Sequence, residues 1–253
     1  MTTTSSSKPL DLSIILPAYN EAERIIPYLR SITAYMERRG LAYEILVVDD
    51  GSTDETAVVV EKFRTEAPAI RLLQLIYNTG KGGAVRRGIL EARGHLRLFA
   101  DADGATPIQE LERLEGCVKV GADIAIGSRF LASRDNRYTV KARWHRTVLG
   151  NLFNRVVQRL GVRGITDTQC GFKLFREPVA RDLFSVARVN GYGFDLELLY
   201  IARCRGYRIA EVPVNWTDQP GTKVWVLRDG LRMLLELLTV RRKAANGRYG
   251  SIS

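Results

Sequence analysis

Between residues 12 and 130, short apolar runs alternate with stretches whose apolar residues recur at helical spacing. This alternation constrains the fold most, because successive strands that are joined through helices pack as parallel neighbours. The sequence therefore predicts an α/β fold with a mostly parallel sheet and helices on both of its faces. Predicted strands cover residues 12–19, 43–52, 70–77, 95–103 and 122–130.

The alternation breaks after Phe130, and the second half of the chain is predicted to elaborate the same domain. Helices are expected near 144–160, from about Pro178 and across 191–206, followed by a strand at 207–216. A chain of 253 residues suits one large domain. The predicted organisation is a disordered N-terminus at 1–10, a single domain at 11–223, and an amphipathic C-terminal helix with a basic tail at 224–253.

The charge balance and the cysteine spacing limit the function classes. Thirty-eight Lys and Arg face 28 Asp and Glu, which gives a formal net charge of +10. This excess favours an anionic partner, namely nucleotide phosphates, a phospholipid surface or nucleic acid, and solubility alone is the alternative explanation. Three widely spaced cysteines form no metal-binding pattern and favour a reducing compartment. Neither a signal peptide nor a transmembrane helix is predicted, so a cytoplasmic location is expected.

Acidic residues follow three of the predicted strands. Glu21 follows the first, Asp49 and Asp50 end the second, and Asp101 and Asp103 end the fourth. Ligands of open α/β sheets bind beyond the carboxyl ends of the strands, so these side chains are expected to share one edge. Residues i and i+2 of a strand point the same way, and carboxylate oxygens suit Mg²⁺ or Mn²⁺ together with substrate phosphates. The alternative for the D-x-D pattern is a simple turn.

Residues 80–88, GKGGAVRRG, open a predicted helix with several glycines. Glycine allows the N–H groups of a helix N-terminus to approach an anion, so this segment resembles a phosphate cradle. It lacks the glycine spacing and the Ser or Thr of a Walker A motif. The alternative is a flexible entry into a helix that binds no ligand.

Two basic segments are candidates for binding an acceptor or a membrane. Residues 129–146 carry six Lys or Arg with interleaved aromatic residues. A mobile loop that captures an acceptor phosphate is the favoured interpretation, and a disordered loop or a nucleic-acid site are the alternatives. Residues 224–243 predict an amphipathic helix that lies on an anionic leaflet, with packing on the core or on a second subunit as the alternative.

Motifs along the chain resemble family 2 glycosyltransferases of the GT-A fold, and more closely the dolichyl-phosphate (polyprenyl-phosphate) β-glucosyltransferases. The matching stretches run in order from about 13 to 223: SIILPAYNEAERI, EILVVDDGSTDET, NTGKGGAVRRGI, DADGATP, GSR, DTQCGFKLF, FDLELLYIA and EVPVNW. PAYNE with VVDDGSTD is typical of the fold family, and the last motifs indicate the glucosyltransferase branch. Mannosyltransferase relatives usually carry a polar residue where this chain has Ala105, which argues against GDP-mannose as donor.

The resemblance implies roles for individual residues. Asp50 is expected to bind the base of UDP, Asp101 to lie by the ribose, and Asp103, together with Asp101, to bind Mg²⁺ or Mn²⁺. Arg129 and Asp167 are the candidate catalytic residues, Asp167 either as a base or as the carboxylate that orients the acceptor; a turn or helix-cap residue is the alternative. Contacts with phosphate oxygens are expected from Arg129, Arg134 and Lys223. The full nucleotide-sugar set is Pro17, Ala18, Tyr19, Glu21, Asp50, Lys81, Asp101, Ala102 and Asp103.

The reaction that the resemblance implies is the transfer of glucose from UDP-glucose to a polyprenyl phosphate, with inversion at the anomeric carbon. The acceptor phosphate is largely ionised near neutral pH, so positioning and charge compensation are the enzyme's main tasks. Relatives often carry membrane-spanning helices, and peripheral contact with the cytoplasmic face of an anionic membrane is expected here instead. Within the family, the alternatives are another nucleotide-sugar donor or a soluble acceptor. Outside it they are a binding protein without turnover or a nucleic-acid binder, which the acidic strand ends disfavour. The sequence does not determine the oligomeric state.

Overall fold

The computed structural model describes residues 10–141, 162, 164–219, 226–247 and 249, and for 226–231 the backbone alone. Residues 1–9 of the N-terminus that is predicted to be disordered at 1–10, and the predicted helix near 144–160, lie outside this part of the chain. The first half contains β1 (Leu12–Ala18), α1 (Ile25–Arg39), β2 (Tyr43–Asp49), α2 (Thr56–Arg64), β3 (Ile70–Gln74), α3 (Lys81–Glu91), β4 (Leu96–Ala100), α4 (Leu111–Lys119) and β5 (Ile124–Ser128). The second half adds α5 (Arg129–Ala132), β6 (Val140–Lys141), β7 (Phe172–Arg176), α6 (Glu177–Val186), α7 (Phe194–Cys204), β8 (Ile209–Pro213), β9 (Trp216–Thr217) and α8 (Val226–Ala245).

Seven of the described strands form one sheet in the order β3-β2-β1-β4-β7-β5-β8. All neighbours pair in parallel except β7, which runs antiparallel to both β4 and β5. The predicted α/β class and the mostly parallel sheet are therefore confirmed. Strand β7 itself was not predicted, because Lys173 interrupts its short apolar run, yet that lysine is 1% exposed.

The sheet is covered on both faces by helices. Successive residues of a strand point to opposite faces, so Ile14 and Leu16 pack in one apolar layer while Ile15 packs in the other. The first layer contains residues of α1, α2 and α4, and the second contains residues of α3, α6, α7 and α8. Buried on both faces, the strands form a rigid platform whose carboxyl ends can hold functional side chains in fixed positions.

Pairing between β1 and β4 stops before β1 ends, and the space between the residues that follow the two strands is here called the crevice. The register of β1 with β4 ends at Ile15 and Phe99, whereas β1 stays paired with β2 as far as Ala18 and Asp49. Pro17, which has no N–H to donate, lies where β1 no longer pairs with β4. The chain reverses its winding direction between these two strands, which is where ligands bind in open α/β sheets.

Several element boundaries differ from the predicted ones. The third strand ends at Gln74 rather than at residue 77, and the first strand ends at Ala18, before a turn in which Asn20 adopts a φ of 52°. The predicted strand at 207–216 divides into β8 and β9. Helix α8 covers most of the predicted C-terminal amphipathic segment. No helix among the described residues is long and apolar enough to cross a bilayer.

Candidate active site

The D-x-D pattern forms a tight turn directly after β4. Gly104 takes a φ of 67° in this turn, and a Cβ at that position would lie 2.9 Å from the ring of Tyr28. The Tyr28 hydroxyl donates to Thr106 O at 3.0 Å, so the ring supports the turn from below. Burial, and then the negative charges of Asp101 and Asp103, raise the pKa of Tyr28. The turn is thus held by a neutral phenol under two carboxylates.

Asp101 is held in place by a strand that lies next to β4. Its N–H donates to Gly171 O at 3.0 Å, and a Cβ on Gly171 would overlap the Asp101 carboxylate. Asp101 Oδ1 forms an ion pair of 2.6 Å with Lys81 Nζ. The charge of Asp101 is therefore already compensated by a residue from the first turn of α3.

Lys81 connects the glycine-rich segment to this carboxylate. Its ammonium lies 5.4 Å from the ring centre of Phe99 and 5.9 Å from that of Tyr192. Burial alone would lower the pKa of Lys81, but the charges of Asp101 and Asp195 outweigh it and raise the pKa. Lys81 therefore remains a cation at the floor of the crevice.

Asp103 has less compensation than its neighbour. Its Oδ1 accepts the N–H of Ala105 at 3.0 Å. Burial and then the charge of Asp101 raise the pKa of Asp103, and the charges of Lys81 and Arg24 oppose this rise. Among the described residues, no three His, Cys, Asp or Glu side chains converge to hold a metal ion. The carboxylate oxygens of the D-x-D turn are of the kind that a hard divalent cation prefers, together with water and phosphate oxygens.

Asp50 fastens the loop that precedes α3. Its Oδ1 accepts the N–H and the hydroxyl of Thr79, both at 2.7 Å, and its Oδ2 accepts the N–H of Gly80 at 2.8 Å. Asp50 is 3% exposed. The structure thus places this predicted base-binding carboxylate at the rim of the crevice, with its oxygens ordering residues 79–80.

The glycine-rich segment follows the alternative interpretation, an entry into a helix. The N–H groups of Gly82 and Gly83 both donate to Asn190 O, at 2.7 and 3.3 Å, and are therefore not available to a phosphate. A Cβ on Gly80 would lie 2.6 Å from the same carbonyl oxygen. The glycines are needed because the backbone of residues 189–190 approaches the start of α3 closely.

The PAYNE segment lies beside Asp50, at the end of the neighbouring strand β1. Tyr19 is 37% exposed at the end of β1. The Glu21 carboxylate accepts hydrogen bonds from Arg24 Nε at 2.8 Å and Nη2 at 2.6 Å. The backbone N–H of Glu21 donates to Thr56 Oγ1 at 2.8 Å. Ala18 O accepts the N–H of Asp50 at 2.8 Å, which joins this segment to β2.

A guanidinium lies beyond β5, across the antiparallel strand from Asp101. Asp167 accepts from Arg129 Nε and Nη2, both at 2.7 Å, and from the Arg129 N–H at 2.9 Å. The Arg129 guanidinium also stacks on Trp216, with its carbon 5.4 Å from the ring centre. Burial alone would raise the pKa of Asp167, but the charge and hydrogen bonds of Arg129 lower it. Both oxygens of this carboxylate thus accept hydrogen bonds from Arg129.

A second carboxylate holds the loop that carries Asp167. Glu211 of β8 accepts the N–H of Thr166 at 2.9 Å and the N–H of Asp167 at 2.7 Å. Glu211 and Trp216 both belong to the EVPVNW motif. The motif therefore supports the Arg129 side of the crevice from two directions.

The comparisons with known proteins agree with this geometry. The family model described as "Glycosyl transferase family 2" matches residues 13–184. The chain belongs to glycosyl transferase family 2. The similar curated proteins are named "Dolichyl-phosphate beta-glucosyltransferase". The protein of Drosophila melanogaster is 41% identical over 247 residues, covering 92% of this chain and 75% of that protein. The Homo sapiens protein is 39% identical over 94% of this chain and 77% of its own, and the Saccharomyces cerevisiae protein is 34% identical over 94% and 76%.

Solved structures with the same fold include two sugar-phosphoglycerate synthases. The mannosyl-3-phosphoglycerate synthase from Rubrobacter xylanophilus aligns with a TM-score of 0.69 at 22% identity, over 94% of this chain and 75% of its own. A glucosyl-3-phosphoglycerate synthase from Mycobacterium tuberculosis, in complex with Mn²⁺, UDP-glucose and phosphoglyceric acid, aligns with a TM-score of 0.64 at 18% identity, over 91% and 79%. These likenesses confirm the GT-A fold of this family 2 glycosyltransferase.

The glycosyltransferase thus brings most of the predicted site residues to one edge of the sheet. Ala102 is buried inside the D-x-D turn, and Arg134 is exposed, with its guanidinium 4.3 Å from the ring centre of Phe130. Lys223 lies outside the described residues. No role was predicted for Lys173, Glu211 or Trp216. The quoted motifs DTQCGFKLF and EVPVNW contain all three, and their recurrence in the resemblance is the signal that could have found them.

Proposed function

We propose that this glycosyltransferase transfers glucose from UDP-glucose to dolichyl phosphate or a polyprenyl phosphate of the same chemistry, with inversion at the anomeric carbon. The observation that carries the proposal is the identity of 34–41% to dolichyl-phosphate β-glucosyltransferases over 92–94% of this chain. The crevice agrees with that chemistry, because carboxylates line one side and a fixed guanidinium lies on the other. Two phosphate-bearing substrates need such an arrangement.

The donor side would hold the nucleotide diphosphate through a divalent cation. Asp103 is the proposed protein ligand, with Asp101 beside it, and the bound metal would neutralise the leaving diphosphate. Lys81 would add a second positive charge to the same diphosphate. Tyr19, Glu21 and the backbone around Asp50 would enclose the nucleoside.

The acceptor side would be organised by Arg129. The Asp167 carboxylate and the Trp216 ring hold its guanidinium from two sides, so the N–H groups of Nη1, which donate to no described residue, remain for a phosphate oxygen. A general base would need a pKa near the working pH, whereas Arg129 lowers the pKa of Asp167. Of the two predicted roles of Asp167, we therefore propose the orienting one. The acceptor phosphate, already ionised, would attack as it stands.

Contact with a membrane is proposed through helix α8. Leu235 is 57% and Leu238 47% exposed, and Arg241 and Arg242 follow on the same helix. An exposed apolar stripe beside basic residues is typical of helices that lie on an anionic leaflet. A cytoplasmic leaflet would supply that charge.

The first experiment supplies UDP-glucose, dolichyl phosphate and Mg²⁺ or Mn²⁺, and measures glucolipid in the organic phase with and without EDTA. UDP-galactose, UDP-N-acetylglucosamine and GDP-mannose are tested in parallel. Metal-dependent glucolipid formed from UDP-glucose alone is the expected result. UDP release with soluble acceptors only, or transfer from a different donor, would contradict the proposal.

A further inference from the structure

A buried lysine lies at the centre of the sheet, beneath the proposed donor site. Lys173 of β7 is in register with Phe99 of β4 and Ile126 of β5 and is 1% exposed. Its ammonium lies 2.6 Å from Asp195 Oδ1 and donates to Cys170 O at 2.6 Å. A buried ion pair is often no more stabilising than apolar residues of similar volume. Stability alone therefore does not account for this pair.

Asp195 lies within the influence of two lysines. Phe194 packs edge-on against Phe99, with ring centres 5.6 Å apart, which places the first turn of α7 over β4. The ammonium groups of Lys81 and Lys173 lie 5.4 and 5.8 Å from the centre of that same Phe99 ring. Burial raises the pKa of Asp195, and the positive charges of Lys173 and Lys81 oppose this rise. The Asp195 carboxylate thus compensates the charges of Lys81 and Lys173, whose ammonium groups both lie near the Phe99 ring.

The ion pair of Lys173 and Asp195 is also linked to the backbone next to Asp101. Lys173 Nζ donates to Cys170 O, and the next residue, Gly171, accepts the N–H of Asp101 and leaves space for its carboxylate. Lys173 is therefore linked to the D-x-D turn in two ways. One is the backbone at Cys170 and Gly171, and the other is its ion pair with Asp195.

We propose that Asp195 is a positioning residue of the donor site, which holds the Lys81 ammonium where a nucleotide diphosphate binds. Lys173 is its fixed partner, which keeps the Asp195 carboxylate from turning away. The inference rests on the proposed donor and adds two buried residues that act through Lys81 rather than on the substrate.

A double-mutant cycle on UDP binding tests this directly. UDP affinity is measured by calorimetry in the presence of Mn²⁺ for the wild type, Asp195→Asn, Lys81→Met and the double variant. Asp195→Asn is expected to weaken UDP binding about tenfold, because Lys81 loses one of the two negative charges that act on it. In the Lys81→Met background, Asp195→Asn is expected to weaken UDP binding less than about twofold. The two effects are not additive, because Asp195 acts on UDP through Lys81.

A second variant and a control keep the test decisive. Lys173→Met/Asp195→Asn removes both charges, which costs less stability than leaving one buried charge unpaired, and it is expected to show the same tenfold loss. Arg97→Met is the matched control, because Arg97 is buried at the opposite end of β4, where it donates to Ile89 O at 2.8 Å. It should lower the melting temperature and leave UDP affinity unchanged.

The outcomes separate the inference from the proposed function. Losses that add in the cycle, or a folded Asp195→Asn variant that binds UDP as the wild type does, would overturn the positioning role alone. A wild-type protein that binds no UDP would overturn the proposed donor and this inference with it.

Discussion

Replacing Asp167 with Asn distinguishes its two predicted roles. The change removes the charge that faces Arg129 Nε and Nη2 at 2.7 Å while keeping the shape of the side chain. If Asp167 orients Arg129, the loss is that of a hydrogen bond to a charged group, about 1.5–3 kcal/mol, or about 10- to 150-fold in kcat/KM for the acceptor. The loss should lie mainly in the acceptor KM, because Arg129 would still be present but less well placed.

The same change should also lower stability. Breaking a buried ion pair costs about 3–5 kcal/mol, and because the Arg129 side chain keeps 32% of its area exposed, we expect about 2–3 kcal/mol. For a chain of this size that corresponds to a fall in Tm of about 4 to 12 °C. Asp135→Asn is the matched control, because Asp135 pairs with Arg137 in an exposed loop, and it should change neither quantity.

The assay is initial-rate glucolipid formation with dolichyl phosphate varied at saturating UDP-glucose, alongside thermal unfolding. A fall in kcat of about 10³-fold or more, with the acceptor KM unchanged and Tm preserved, would refute the orienting role. That result would instead identify Asp167 as the general base.

Three further predictions concern the donor side and the core. Asp103→Ala should abolish metal-dependent glucolipid formation while Tm stays close to that of the wild type; turnover that still responds to EDTA would show that another residue holds the metal. Gly171→Ala should weaken UDP binding in calorimetry, because the new Cβ overlaps the Asp101 carboxylate, and unchanged affinity would mean that Asp101 is free to move. Burial and the charge of Asp167 raise the pKa of Cys170 to about 12, so in a thiol assay at pH 8 the exposed Cys204 should react and Cys170 should not until the protein unfolds.

The sequence was sufficient to predict the parallel part of the sheet and the carboxylates at its edge. Strands β1, β2 and β4 are mostly apolar, and the acids that follow them are adjacent because parallel strands end together. Sequence patterns did not predict β7, since Lys173, the second of its five residues, leaves only a short apolar run. The burial of Lys173 depends on Asp195, which comes from a helix 22 residues further along the chain and is adjacent only in the fold.

The acceptor and donor sides of the crevice also differ in how far their charged side chains are already paired within the protein. On the acceptor side, three distant segments converge before any substrate arrives: Glu211 holds the loop of Asp167, Asp167 holds Arg129, and Trp216 covers the guanidinium. On the donor side, Asp101 is paired with Lys81, whereas the ion pairs among the described residues include none with Asp103. Fixed dipoles and charges accelerate a reaction because they need no rearrangement when charge moves. A divalent cation that arrives with the nucleotide would therefore complete the donor side beside Asp103.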